Sequence, residues 1–144
     1  MKKCLMILFV VIMCIHFGSC RHEETYRFLN STDEISKISL VAISFDENEK
    51  VIQTEIQKIS DTVAFLDDFR DVNCYTYYGD PTGVTEEGVE DTVIKISYAN
   101  DEYELINWMG QAVYTQERGF IYYAGYSVFD KDQFNALISD YLTE

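Results

Sequence analysis

The first twenty residues separate the chain into a leader and a remainder short enough for one domain. Met1-Lys2-Lys3 is followed by an apolar block from Cys4 to Phe17, and then by the small residues Gly18 and Ser19. This order is typical of a secretory signal peptide, and the block is shorter than the roughly 20 apolar residues that cross a bilayer. Removal of residues 1–19 leaves 125 of the 144 residues, which is the size of a single domain.

The residues at the predicted cleavage site, Phe17-Gly18-Ser19-Cys20, resemble the lipobox of bacterial lipoproteins, although Phe17 stands where that motif most often has leucine. The resemblance implies cleavage before Cys20 and lipid on its sulfur. It also implies a protein that faces outside the cytoplasm, attached to the cell membrane or the outer membrane by its acyl chains. We therefore expect a lipoprotein, and its first expected partner is a membrane.

The charge of the chain restricts its other partners. The leader carries Lys2 and Lys3 and no acid, so the formal net charge of −14 becomes −16 when it is removed. A field of this sign disfavours nucleic acid, because binding to nucleic acid depends on neutralised phosphates. It also disfavours anionic lipid head groups, so the acyl chains rather than the protein surface would hold the domain at a membrane. A basic protein partner suits this charge.

Residues 20–36 contain the lipidated cysteine and a polar stretch without sustained periodicity. They are typical of a flexible tether, which at this length reaches roughly 20–25 Å on average. Alternatively, Tyr26, Phe28 and Leu29 pack on the domain. The folded domain itself is predicted to cover residues 37–144.

Local patterns predict mostly strands in this domain, with a helix near each end. A polar loop at 47–50 separates two stretches rich in β-formers, 38–46 and 51–57, and Ser60-Asp61 is a plausible N-cap for a helix that ends near Val72. Short turns connect the stretches that follow, and Asn100-Asp101 is typical of a two-residue hairpin turn. The further predicted strands are 73–78, 91–99, 102–108, 111–115 and 120–125.

The last helix has the clearest local signal. Asp130 with Gln133 forms a capping-box pattern, and Phe129 with Phe134 forms a possible hydrophobic staple. An apolar stripe at helical spacing follows: Phe134, Leu137, Ile138, Tyr141 and Leu142. We predict an α+β domain with an antiparallel sheet of about six strands and two amphipathic helices packed on one face, in the order ββαββββα.

Few residues in the mature chain have the side chains that most catalytic and metal sites require. His16 leaves with the leader, and His22 lies two residues after Cys20. The predicted fold therefore contains no histidine for a catalytic triad or a zinc site. Cys4 and Cys14 also leave with the leader, so Cys74 has no partner for an intrachain disulfide and is expected to be a small core residue. We expect a non-enzymatic protein without a cofactor.

Carboxylates are the remaining candidates for chemistry. Five of them, Asp80, Glu86, Glu87, Glu90 and Asp91, lie in or beside the loop 84–91. They could converge on Ca²⁺, which prefers hard oxygen ligands. The loop lacks the spaced acids and glycine of an EF-hand, so a solvated acidic loop is favoured and no metal site is assigned.

The eleven tyrosines are dense for a domain of this size, and ten of them lie between Tyr75 and Tyr141. Alternation along strands turns some of them away from the helices. Cross-strand packing on an open sheet face explains such rings, and this interpretation is favoured. An exposed surface for protein or glycan contact is the alternative, because aromatic rings supply contact area at low entropic cost. The candidate binding residues are Tyr75, Tyr77, Trp108, Tyr114 and Tyr122.

Residues 74–142 resemble small uncharacterised bacterial lipoproteins over about half of the chain, at Gly79-Asp80-Pro81-Thr82-Gly83, Asp91–Ile96 and Tyr122–Tyr126. The resemblance implies no known activity and no functional residue. From charge and composition we expect a binding domain for a basic protein, and an inhibitor or immunity-type role would fit the charge. The alternative is a cell-surface glycan-binding module that uses Trp108 and neighbouring tyrosines, and a third interpretation is an enzyme that uses carboxylates alone.

Overall fold

The computed structural model describes residues 23–48, 50–76, 82–83, 91–115, 119–122 and 127–142, of which 82–83, 91, 112–115 and 119–122 are described by their backbone alone. The predicted signal peptide and Cys20 lie outside the described residues. Within them, a 3₁₀-helix at Thr32–Glu34 precedes the strands and helices. These are β1 (Ile35–Phe45), β2 (Val51–Lys58), α1 (Thr62–Asp71), β3 (Cys74–Thr76), β4 (Thr82–Gly83), β5 (Asp91–Tyr98), β6 (Tyr103–Asn107), β7 (Gly110–Thr115), β8 (Gly119–Tyr122), β9 (Ser127–Phe129) and α2 (Lys131–Leu142).

The predicted α+β class and antiparallel sheet are confirmed. Seven strands form one sheet in the order β2-β1-β5-β6-β7-β8-β4, and every pair of neighbours is antiparallel. Two short strands, β4 and β9, add to the predicted order. The strand predicted at 73–78 does not join this sheet, because β3 pairs with β9 in a separate two-stranded ribbon.

Both helices pack on one face of the sheet, as predicted. Inward side chains of β1, β5 and β6 meet the apolar stripes of the two helices in one buried cluster. The stripe of α1 is Phe65, Leu66 and Phe69, and that of α2 is Phe134, Leu137, Ile138 and Tyr141. Burial of these stripes is the main force that holds the helices on the sheet.

The helix caps follow the sequence closely, with one difference. Asp61 Oδ1 accepts from the backbone N–H of Ala64 at 2.9 Å, and Asp130 Oδ1 accepts from that of Gln133 at 3.1 Å. The reciprocal bond expected of a capping box is replaced, because Gln133 Oε1 accepts instead from the backbone N–H of Asn73 at 2.8 Å. Gln133 therefore ties the start of α2 to the residue before β3.

The N-terminal segment, residues 23–34, is part of the fold rather than a tether. Tyr26 is 7% exposed and belongs to the main core cluster, where its ring lies 5.6 Å from that of Phe69. Phe28 packs against the same cluster, whereas Leu29 is exposed. The flexible tether predicted over residues 20–36 is thus wrong for 23–36, and the alternative of packing on the domain holds for Tyr26 and Phe28 but not for Leu29. The polar composition of this segment does not indicate that Tyr26 and Phe28 pack in the core.

The segment also has a defined direction across the domain. It begins beside β3, where Glu23 pairs with Tyr75 and the backbone N–H of Glu24 donates to the carbonyl of Cys74 at 2.9 Å. It ends at the turn between β5 and β6, where the carbonyl of Glu34 accepts from Ala99 at 2.9 Å. No helix in this described part of the chain is both long enough and apolar enough to cross a membrane.

Candidate functional site

The two-stranded ribbon forms one wall of a groove at the end of β6. Tyr75 is opposite Val128 in the ribbon, and the backbone N–H of Phe129 donates to the carbonyl of Trp108 at 2.8 Å. That bond joins β9 to the residue that follows β6. The fold therefore brings together Tyr75 and Trp108, which are 33 positions apart in the sequence.

The groove, defined by Tyr75, Thr76, Trp108, Val128, Phe129 and the residues 130–132, has a volume of about 290 Å³. Tyr75, Trp108 and Val128 are half-buried, so parts of their side chains line it while the remainder packs on the domain. A concavity with aromatic walls and a few charged groups is typical of a binding site.

A cation already lies on the tryptophan. The Lys131 ammonium nitrogen is 4.9 Å from the centroid of the Trp108 ring, which is within the range of a cation–π interaction. Lys131 is flanked along the chain by Asp130 and Asp132, both of which line the groove. The groove thus combines an aromatic surface that accepts positive charge with two carboxylates, a combination suited to a cationic group.

The structure brings two of the five predicted binding residues together, and the side chains of the other three are not described. Tyr75 and Trp108 line the same groove. Tyr114 and Tyr122 lie on the neighbouring strands β7 and β8, but their side chains are not described, and Tyr77 lies outside the described residues. The acidic loop 84–91 is also outside them, apart from the backbone of Asp91. Among the residues that are described, no group of three or more His, Cys, Asp or Glu side chains could hold a metal ion.

Cys74 is a core residue, as its position on a strand predicts. It is 6% exposed and belongs to the main core cluster. Burial raises the pKa of its thiol above the ordinary value. Because the thiolate is the nucleophilic form, a raised pKa makes this cysteine a poor nucleophile at neutral pH.

A buried carboxylate is the feature that the sequence interpretation missed. Glu104 is 2% exposed and lies on the helix-covered face of the sheet, directly opposite Ile96 of β5. The alternation of β6 carried the signal, since Ile106 two residues later belongs to the same apolar cluster. A charged residue at an inward position requires partners, because an unpaired buried charge is strongly destabilising.

The partners of Glu104 come from two distant parts of the chain. The hydroxyl of Tyr26 donates to Glu104 Oε2 at 2.7 Å, and the backbone N–H of Leu29 donates to Oε1 at 3.1 Å. The hydroxyl of Tyr98 also donates to Oε1. We call Glu104, Tyr26, Tyr98 and the Leu29 amide the carboxylate cluster. It fastens the N-terminal segment to β5 and β6.

The carboxylate cluster holds both tyrosines in their neutral form. Burial raises the pKa of Tyr26, and the negative charge and hydrogen bond of Glu104 raise it further. Burial also raises the pKa of Tyr98, and the hydrogen bond of Tyr98 to Glu104 raises it further. All three donors face the carboxylate, so the arrangement is suited to holding the fold together rather than to proton transfer.

Stability is expected to fall as the pH rises above about 10. Tyr26 and Tyr98 ionise near their ordinary pKa in the unfolded chain but stay protonated in the folded protein, so the unfolded chain binds fewer protons in this range. The free energy of unfolding should decrease by up to about 1.4 kcal/mol per pH unit for each tyrosine. Urea unfolding between about pH 9 and about pH 11 measures this slope. Tyr26→Phe should make it shallower, because one of the two buried hydroxyls is removed.

No protein-family model, no curated protein and no solved structure matches the chain. The geometry of the groove and the carboxylate cluster is therefore what bears on function.

Proposed function

We propose that this protein is a non-enzymatic binding domain, held outside the cytoplasm by lipid on Cys20, that captures a basic protein through its acidic, tyrosine-rich surface. The groove between Tyr75 and Trp108 is the observation that carries the proposal, because it pairs an aromatic surface with Asp130 and Asp132. An inhibitor or immunity-type role against a basic secreted protein is the subclass that this chemistry favours.

The charge of the chain supports a basic partner. A formal charge of −16 without the leader attracts cations from a distance and raises their rate of encounter. At short range, Trp108 already accepts the Lys131 ammonium on its ring. A lysine or arginine side chain from a partner would displace Lys131 or use the other face of the ring, close to the carboxylates of Asp130 and Asp132.

The residues available for chemistry support a role other than catalysis. The chain beyond His22 contains no histidine. The thiol of Cys74 is buried with a raised pKa. The buried carboxylate of Glu104 is engaged by three donors. A binding role needs none of these groups to react.

Trp108 is the one tryptophan of the chain, so its fluorescence reports directly on the groove. A soluble lysine- and arginine-rich peptide should change this emission at low salt. The change should weaken steeply as the ionic strength approaches about 0.15 M, where the Debye length is about 8 Å. A glutamate-rich peptide of the same length should have no effect. A salt-insensitive response to the basic peptide would contradict the proposal.

Two matched charge removals locate the binding surface. Asp132→Asn removes a charge from the groove. Asp101→Asn removes one from the turn between β5 and β6, at the opposite end of β6 from Trp108. Asp101 has a φ of 67°, a conformation that asparagine also tolerates. Asp132→Asn should weaken peptide binding more than Asp101→Asn, and equal losses would place the contact outside the groove.

Glycan binding is the second candidate, and the half-buried Trp108 beside Tyr75 favours it, since sugar rings stack on such side chains. Lys131 lies over the tryptophan ring, so a sugar would have to displace it or use the other face. If soluble oligosaccharides rather than basic peptides change the Trp108 emission, and Lys131→Ala strengthens that response, the glycan-binding module replaces the protein-binding domain.

A further inference from the structure

The path of the N-terminal segment gives the domain a defined end at which the chain leaves toward Cys20. Glu23 pairs with Tyr75, and Glu24 is hydrogen-bonded to Cys74, so the segment enters the fold beside β3. It then runs past Glu104 to Glu102, where the Asn30 amide donates to the carboxylate at 2.8 Å. The start of the segment therefore lies toward the groove, and its finish lies toward the turn between β5 and β6.

The groove and the exit point share Tyr75. Tyr75 pairs with Glu23 on one side and with Val128 on the other, and both Tyr75 and Val128 line the groove. Adjacent strands are about 4.8 Å apart, so Glu23 and the groove are lateral neighbours. We call this region, formed by Glu23, Tyr75, Trp108, Val128 and Lys131, the groove end of the domain.

The chain between the anchor and the groove end is short. Three residue steps separate Cys20 from Glu23, and whatever their conformation they span at most about 11 Å. Acyl chains on Cys20 would lie in the hydrocarbon region and place this residue among the lipid head groups. The groove end cannot then move far from the head-group layer.

We infer that the groove end of the domain contacts the lipid head groups, with the turn between β5 and β6 pointing away from the bilayer. This inference rests on the proposed lipid anchor. The occupant of this surface is the bilayer itself, and zwitterionic lipids suit it best because Lys131 lies between two aspartates. Trp108 and Tyr75 are the aromatic types that favour the membrane–water interface. A basic partner would therefore have to compete with the lipid head groups for the groove.

Fluorescence quenching by spin-labelled lipid head groups tests this orientation. The lipidated protein is purified from cells and reconstituted into phosphatidylcholine vesicles, with or without a fraction of lipid that carries a spin label on its choline group. Trp108 emission should be lower in the labelled vesicles. A flexible Gly/Ser insertion of twenty residues between His22 and Glu23 lets the domain reach roughly 25 Å from the anchor and should restore much of the emission.

A relocated tryptophan supplies the matched control. In the Trp108→Phe, Tyr103→Trp double variant, the reporter moves five residues along β6, which is about 17 Å, to an exposed position near the opposite end. Its emission should fall less in the labelled vesicles than that of Trp108. Equal quenching at the two positions, no quenching of Trp108, or no effect of the insertion would each overturn the inference.

The outcomes also separate this inference from the proposals on which it rests. Protein that floats with vesicles but is quenched equally at both positions overturns the orientation and leaves the anchor intact. Protein that carries no lipid on Cys20 by mass spectrometry, and does not float, overturns both. Failure to bind a basic peptide contradicts only the protein-binding function, because neither the anchor nor the quenching depends on that peptide.

Discussion

Glu104→Ala is expected to lower the free energy of unfolding by about 3–5 kcal/mol. The substitution removes the acceptor for the Tyr26 hydroxyl, the Tyr98 hydroxyl and the Leu29 amide. Each buried donor left without an acceptor costs about 1–3 kcal/mol, and water recovers part of that loss where the N-terminal segment loosens. Urea unfolding followed by circular dichroism measures the change.

The neighbouring glutamate of the same region supplies the control. Glu102 is exposed. Hydrogen bonds from the side chains of Asn30 and Asn100 lower the pKa of its carboxyl. Glu102→Ala should therefore cost much less than Glu104→Ala. Similar losses for the two variants, or a loss under about 1 kcal/mol for Glu104→Ala, would show that the carboxylate cluster does not hold the segment in place.

A double-mutant cycle measures the interaction of Tyr26 with Glu104 within the carboxylate cluster. Tyr26→Phe removes one hydroxyl and keeps the ring in the core, so it should cost about 1–2 kcal/mol in the wild-type background. In the Glu104→Ala background the same change should cost little, because the hydroxyl has already lost its acceptor. The difference between the two costs is the coupling energy of Tyr26 with Glu104.

Leu137→Ala is expected to cost about 2–5 kcal/mol, because it opens a cavity where α2 meets the sheet. Leu137 is 7% exposed and belongs to the main core cluster. Leu142 is the matched control on the same helix, since it is 39% exposed and its truncation should cost less than about 1 kcal/mol. A loss below about 0.5 kcal/mol for Leu137→Ala would mean that α2 does not depend on this seam.

The elements that could be predicted from sequence are those whose signal is local. Helix α2 follows from its N-cap and its apolar stripe, and the observed Lys131–Leu142 confirms both. The predicted apolar stripe ends too late, because the side chain of Leu142 is exposed. The Asn100-Asp101 turn lies where it was expected, but it has three residues, 99–101, rather than two. It is closed by hydrogen bonds of Tyr98 with Asp101 and Glu102, with Asp101 in the left-handed region.

Features that depend on distant contacts could not be predicted. Tyr26 and Glu104 are 78 positions apart, and nothing in the polar sequence around Tyr26 indicates its acceptor. The ribbon of β3 and β9 has only three residues in each strand, too few for a distinct periodic signal. Residue type makes Tyr75 and Trp108 candidates, but that ribbon is what places them in one groove.

The N-terminal segment also bears on how such a domain could be shed from a cell surface. Proteases cleave extended, accessible backbone, and the segment 23–34 contributes Tyr26 to the interior. Cutting within it would require that stretch to open first, so the rate of release would follow the free energy of a local opening. Release by cutting within residues 23–34 would then report on the strength of the bonds to Glu104.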